Sequence, residues 1–274
     1  MRIQTLEQLR ALPNLPYYAP TWSEREQLPD SNLDFDDTFN ESLDGVIFPE
    51  FVTSIKFGKA FNQLLTTVVF PSHLKHLHLG ICFNQPLEGV VLPNSIEQLV
   101  IQGRFNHSLD GVIFPTGLQD FVLQGRFNGT LSDVVFPSGL LILELNCFFT
   151  GALPKIPSTV KYLVLSGSFN SNIDSFPEAL VTLNLGDMFD QPLDLSTLPA
   201  KVTTLNIGNR FCYPLSGTTT IPESLVTLRV GEFYAQKFDD TILKQLRELG
   251  VSPSYQYLLT IREKYPGLII DHCC

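Results

Sequence analysis

The chain has 274 residues, 44% of them hydrophobic and 17% charged, and a net charge of −10. That composition folds rather than staying disordered, and so acidic a chain disfavours nucleic acid, whose phosphates need a cationic footprint. No apolar run approaches the roughly 20 residues that span a bilayer, no basic tract suits an anionic membrane, and the start, Met1-Arg-Ile-Gln-Thr-Leu-Glu7, lacks the apolar stretch of a secretory signal.

Residues 5–12 read as one amphipathic helix stopped by Pro13. An acidic stretch follows, within which Leu33-Asp34-Phe35 reads as a degenerate opening strand. From there one unit is copied. Phe recurs at 39, 61, 83, 105, 127, 149, 169, 189, 211 and 233, in steps of 22 residues five times, 20 twice and 22 twice. A fixed short period of this kind marks a solenoid of stacked copies.

Pro sits twelve residues before most of these Phe, from Pro49 to Pro199, and Pro222 sits eleven before Phe233. After each Pro comes the spacing L-x-x-L-x-L, as in Leu74, Leu77, Leu79 and in Val202, Leu205, Ile207. The last two of each trio alternate with outward positions, as a one-sided strand requires. A unit this short with one strand must stack strand on strand in parallel. The return segment, for example Gly45-Val46-Ile47-Phe48 before Pro49, is β-like and too short for a helix. Phe closes each corner, and the Asn after it offers a donor and an acceptor to backbone groups the corner leaves orphaned. The repeated pairs are Phe61-Asn62, Phe83-Asn84, Phe105-Asn106, Phe127-Asn128 and Phe169-Asn170. Another apolar position follows four residues after each Phe, from Leu43 to Leu215.

Asp240 reads as the cap of a helix over 241–249, ended by Gly250, and a second helix is expected from Ser254 to Tyr265. The expected organisation is therefore an N-terminal cap over 1–38, a solenoid over 39–234 and a helical C-terminal cap over 235–274. Caps cover the apolar faces that end coils expose.

The run Phe83-Asn84-Gln85-Pro86-Leu87, then Leu92-Pro93-Asn94-Ser95-Ile96, Leu99 and Ile101, resembles the FNIP repeat, a short subclass of the leucine-rich repeats. So does Phe61-Asn62-Gln63 with Pro71, Leu74, Leu77 and Leu79-Gly80. The resemblance covers about residues 39–234. Thr150, Asp190, Cys212 and Tyr234 stand where the repeat has Asn, and the units at Phe149–Ser168 and Phe169–Met188 have shortened return arms. Such proteins are known from social amoebae and giant DNA viruses of protists, often behind an F-box. The resemblance implies a mainly β leucine-rich-repeat horseshoe, with a parallel concave sheet and an extended convex side, and a protein-interaction role. Residues 1–38 are too short and too acidic for an F-box.

Three outward rows cross the strands. The middle coils are expected to expose Val100, Val122, Ile142, Tyr162 and Val164 together, ringed by Asp120, Glu144, Gln102 and Gln124. An apolar patch with a polar rim suggests an interaction site, and strand propensity is the plainer reading of the same residues. Arg104, Arg126 and Arg210 share a row at the strand exit and read as solvated charge, with an acidic ligand as the alternative. His76 and His78 share one side of a strand, with no third metal ligand evident. Five Cys without C-x-x-C spacing read as reduced thiols and a cytoplasmic setting, host cytoplasm if the chain is viral. Terminal Cys273-Cys274 is the one feature that suggests a lipidated membrane anchor, and two unmodified thiols are the plainer reading. No nucleophile elbow, zincin motif, P-loop or dinucleotide fingerprint occurs. The expectation is a non-enzymatic scaffold without cofactor or metal that binds a protein partner through the concave sheet. The alternatives are a self-assembling component, down to a homodimer, or a ubiquitin-ligase substrate receptor without a recognisable F-box.

Overall fold

The L-x-x-L-x-L segments become short parallel strands in a computed structural model of the chain, which describes residues 1–12, 31–215 and 221–272. The chain divides into two compact units, Met1–Leu140 and Leu141–Cys274. In the first unit the strands are β1 (Arg2–Ile3), β2 (Asn32–Phe35), β3 (Ser54–Lys56), β4 (His76–Leu79), β5 (Gln98–Ile101) and β6 (Asp120–Gly125). Each pairs in parallel with the next, in a register that sets like on like, such as Leu77 on Leu99 and Leu99 on Phe121. In the second unit β7 (Ile142–Cys147), β8 (Tyr162–Gly167), β9 (Thr182–Leu185), β10 (Thr204–Ile207), β11 (Thr227–Val230), β12 (Glu248–Val251) and β13 (Ile269–His272) pair the same way. The fold is mainly β, a leucine-rich-repeat-like solenoid. Inward residues such as Leu99, Phe121, Leu163 and Leu205 are fully buried.

The ends differ from expectation. Helix α1 covers Leu6–Arg10, with Thr5 as its cap in a capping box with Gln8. Pro13 lies outside the described residues. Ahead of α1 the first residues form β1, which sequence reading missed because a two-residue strand has no periodicity to display. Downstream, helix α2 covers only Asp240–Gln245, with Asp239 rather than Asp240 at its cap and without a side-chain capping bond to the helix. Residues 248–251 are strand β12, not helix, because Leu246, Leu249 and Val251 repeat the L-x-x-L-x-L spacing and all turn inward. Helix α3 covers Leu258–Lys264, and β13 follows it. Residues 235–272 therefore alternate helix and strand rather than forming helices alone.

The corners are columns. In the first unit the rings of Phe39, Phe61, Phe83, Phe105 and Phe127 stack with centroids 6.1–6.3 Å apart and planes within 16°. In the second, Phe149, Phe169, Phe189, Phe211 and Tyr234 do the same at 6.1–6.3 Å. Tyr234, not Phe233, is the last ring of the column. It is buried and lies twelve residues after Pro222, whereas Phe233 is 63% exposed. Burial pushes the Tyr234 phenol up to about 12, while its oxygen accepts a bond from the Leu215 N–H.

Beside the first column runs a side-chain ladder. The Asn40 Oδ1 accepts the Asn62 backbone N–H at 2.8 Å, Asn62 accepts that of Asn84 at 2.8 Å, Asn84 that of Asn106 at 2.9 Å, and Asn106 that of Asn128 at 3.0 Å. In the second unit Asn170 accepts the Asp190 N–H at 2.8 Å. The corner amides of Asn62, Asn84, Asn106, Asn128 and Asp190 are thus each satisfied by the coil before, a bond that contributes about 0.5–1.5 kcal/mol net. The shortened coils are looser, with Leu153 and Ile173 only half-buried, and Leu195 in a 3-10 turn replaces half-buried Leu193 as the buried residue of its coil.

Two outcomes follow. Phe105→Ala costs about 3–5 kcal/mol by removing a fully buried ring from mid-column, and Asn84→Ala about 1–2 kcal/mol by orphaning the Asn106 amide. Both are read from urea denaturation. The Tyr234 phenol is raised above its unfolded value, so its contribution is fully present below about pH 10 and is lost as pH rises through about 12. Stability measured across that window falls by on the order of 2 kcal/mol from this group, and Tyr234→Phe removes that part of the slope.

Candidate partner-binding faces

Outward residues of neighbouring strands stand in register, so each row is a ladder of side chains on one face of the sheet. In the first unit, His78 pairs across with Val100, and Val100 with Val122. Val100 is only 6% exposed, so it is not part of an open apolar patch. Val122 is half-buried. Beside them, His76, Gln98 and Asp120 form the adjoining row. A chain of bonds crosses between the rows. The Gln98 amide nitrogen donates to Asp120 Oδ2 at 2.6 Å, and its oxygen faces His78 Nε2 at 2.7 Å. Because a carboxylate only accepts, Gln98 must direct its oxygen to His78, whose Nε2 therefore donates. The other Asp120 oxygen is buried without a partner.

Gln102 and Gln124 continue the third row, half-buried at the strand exits. In preceding coils that row is glycine, and a Cβ at Gly80 would meet the Gly58 carbonyl oxygen at 1.9 Å. Gln102 is tolerated because the close approach has moved one residue on, to Gly103, whose φ is 71° and whose Cβ would meet the Ile81 oxygen at 2.1 Å. Gly125 does the same for Gln124.

In the second unit Ile142 pairs across with Tyr162, and Glu144 with Val164. Tyr162 is 46% exposed, and Ile142, Val164 and Glu144 are half-buried. Thr182 and Asn184 border them on β9. Further along, Arg229 pairs with Glu248 and lies 3.7 Å from Asp271. Val122 thus stands with Asp120 and the glutamines within the first unit, and Ile142, Tyr162 and Val164 stand together within the second.

A shallow cleft of about 620 Å³ over the first strand exits is lined by Arg2, Asp37, Lys56, Lys59, His78 and Gln102, among others. Arg2 is committed to Asp36 and Lys59 to Asp37, each at 2.5 Å. The Asp36 carboxyl is held below its usual range, first by the Thr38 N–H and hydroxyl and then by Arg2. Lys59 likewise lowers Asp37. Arg104, Arg126 and Arg210 are all exposed. No cluster of three or more metal-ligating side chains occurs among the described residues. Cys82, Cys147 and Cys212 are free thiols, and burial pushes Cys147 up to about 11. Cys273 and Cys274 lie outside the described residues. No helix among those described is long and apolar enough to cross a membrane.

What sequence reading missed is a row on the return arm. Ile47, Val69, Val91, Ile113 and Val135 each sit two residues before a repeat Pro and are 51–84% exposed. Their signal was the same period that revealed the corners.

The family model described as FNIP Repeat matches residues 39–82, 83–113 and 189–233. No curated protein matches the chain significantly. Among solved structures, CroV588, a circular LRR protein from a giant virus, aligns with a TM-score of 0.64 and 29% identity over 82% of this chain and 37% of that one. YopM from Yersinia enterocolitica WA-314 aligns at 0.48 and 20% identity over 80% of this chain and 51% of that one. The chain therefore spans between a third and about half of the lengths of the two proteins it matches. Three segments of the chain thus match FNIP repeats, on a leucine-rich-repeat-like fold.

Proposed function

We propose that the chain is a non-enzymatic scaffold that holds a protein partner against the outer face of its strands. Leucine-rich-repeat-like solenoids are typical of interaction scaffolds, and the outward rows of this one vary while its buried positions stay alike. The observation that carries the reading is Tyr162. It stands nearly half-exposed on β8, with Ile142 beside it in register and Val164 two residues on, and with Glu144, Thr182 and Asn184 as a polar border. A tyrosine on an apolar seat is the residue type that anchors interfaces, because it offers a large rigid surface and a polar tip. Val122 and Asp120 offer a smaller apolar and acceptor pair on the first unit's strands.

The test is quantitative affinity capture from the source organism with the immobilised chain. Tyr162→Ala reduces recovery of a specific protein by at least about tenfold, the loss expected for an aromatic anchor, and Val164→Asp does the same. Ser175→Asp, at an exposed polar position of the second unit's return arm, leaves recovery unchanged. Recovery of the same proteins by all four forms overturns the proposal.

A further inference from the structure

The return arms of the first unit carry a feature that the strand faces do not explain. Ile47, Val69, Val91, Ile113 and Val135 recur every 22 residues, all β-branched and all 51–84% exposed. Their direction is imposed by the arm, since buried Val46 and Phe48 flank Ile47, and buried Val90 and Leu92 flank Val91. Their chemistry is not imposed. In the second unit the same repeat position is Lys155, Ser175 and Thr197, all exposed. The fold therefore accepts polar residues there. Strand preference for Val and Ile reflects packing on a half-buried surface, and Ile47, Val91, Ile113 and Val135, at 71–84% exposed, have little of it, with only Val69 about half-covered. A contiguous apolar row of this kind marks a contact surface.

Charge and spacing identify what fits it. The arms over residues 41–50, 63–72, 85–94, 107–116 and 129–138 contain six carboxylates and no Lys or Arg. Asp44, Glu88 and Asp110 lie three residues before a stripe residue, and Asp133 two before. A second copy laid stripe on stripe would bring carboxylates against carboxylates. The coil spacing on this arm is 5.8 Å between the Phe48 and Phe70 rings and 5.4 Å between those of Phe114 and Phe136. An α-helix rises about 5.4 Å per turn, so a helix lying along the stripe meets one coil per turn. Its apolar residues at i, i+4, i+7 and i+11 then fall between successive stripe side chains.

We infer that this stripe is a second docking surface, for a basic amphipathic helix of a protein partner, with its apolar face on Ile47 to Val135 and its cationic flank over Asp44, Glu88 and Asp110. It is independent of the strand-face reading.

The probe is a labelled model helix of roughly 18 residues, about the length of five coils, with Leu at i, i+4, i+7, i+11 and i+14 and Lys along one flank. Fluorescence anisotropy with the full chain is compared for this peptide, for one with Glu in place of Lys, and for a scrambled peptide of the same composition. The Leu/Lys helix binds at least about tenfold more tightly than either control. Val91→Ser with Ile113→Ser, which installs the residue type of Ser175 without adding charge, weakens it at least about tenfold, whereas Tyr162→Ala leaves it unchanged. The Ser variant keeps the parent's circular dichroism melt, because both side chains are largely exposed. Equal binding of the scrambled or Glu-bearing peptide overturns the proposal. So does unchanged binding by the Ser variant or no binding at all. A dimer in sedimentation that the Ser variant abolishes assigns the stripe to a second copy and overturns it equally.

Discussion

A corner amide bonded to the side chain of the coil before it is the contact on which the rest depends. Phe61 N–H bonds within its own coil, to the Gly58 carbonyl, but Asn62 N–H bonds to the Asn40 side chain, and so on to Asn128. The ring beside each amide rests on the ring of the preceding coil at about 6 Å. A single coil has neither partner. Its buried side chains fall short of the cost of ordering its backbone, so stability lies between neighbours, as in any one-dimensional repeat. Where the corner chemistry changes, the link changes with it. Asp190 replaces Asn and receives the Cys212 thiol at 3.3 Å instead of a backbone amide.

The same constraint organises function. Strict register turns every outward position into a row, so one substitution per coil writes a surface without disturbing the core. The rows at Val100, Val122, Tyr162 and Val164 and the stripe from Ile47 to Val135 occupy different arms of the coil. Close approach at the strand exit limits what may be written there. Gly80 leaves no room for a Cβ, and Gln102 is admitted only because Gly103 takes over that approach.

Much of this was legible because period carries it. The Phe step located the corners, L-x-x-L-x-L located the strands, and alternation within each trio assigned inward and outward positions. Legibility failed where two patterns compete. Leu243, Leu246 and Leu249 fit a helical face, yet Leu246, Leu249 and Val251 fit the strand unit, and packing on β11 decided for the strand. Phe233 was read as the corner by identity, while counting twelve residues from Pro222 points to Tyr234. Val100 reads as exposed from alternation alone. Its burial depends on side chains of adjacent strands, which one strand's sequence does not encode.

Native-state hydrogen exchange reads the inter-coil link most directly. Asn62, Asn84, Asn106 and Asn128 lie in no strand, so a chain whose coils cohere only through strands and core would leave their amides to exchange at near-intrinsic rates. The account predicts protection of these four amides comparable to that of strand residues such as Leu99. Free exchange at the corners alongside protected strands would contradict it.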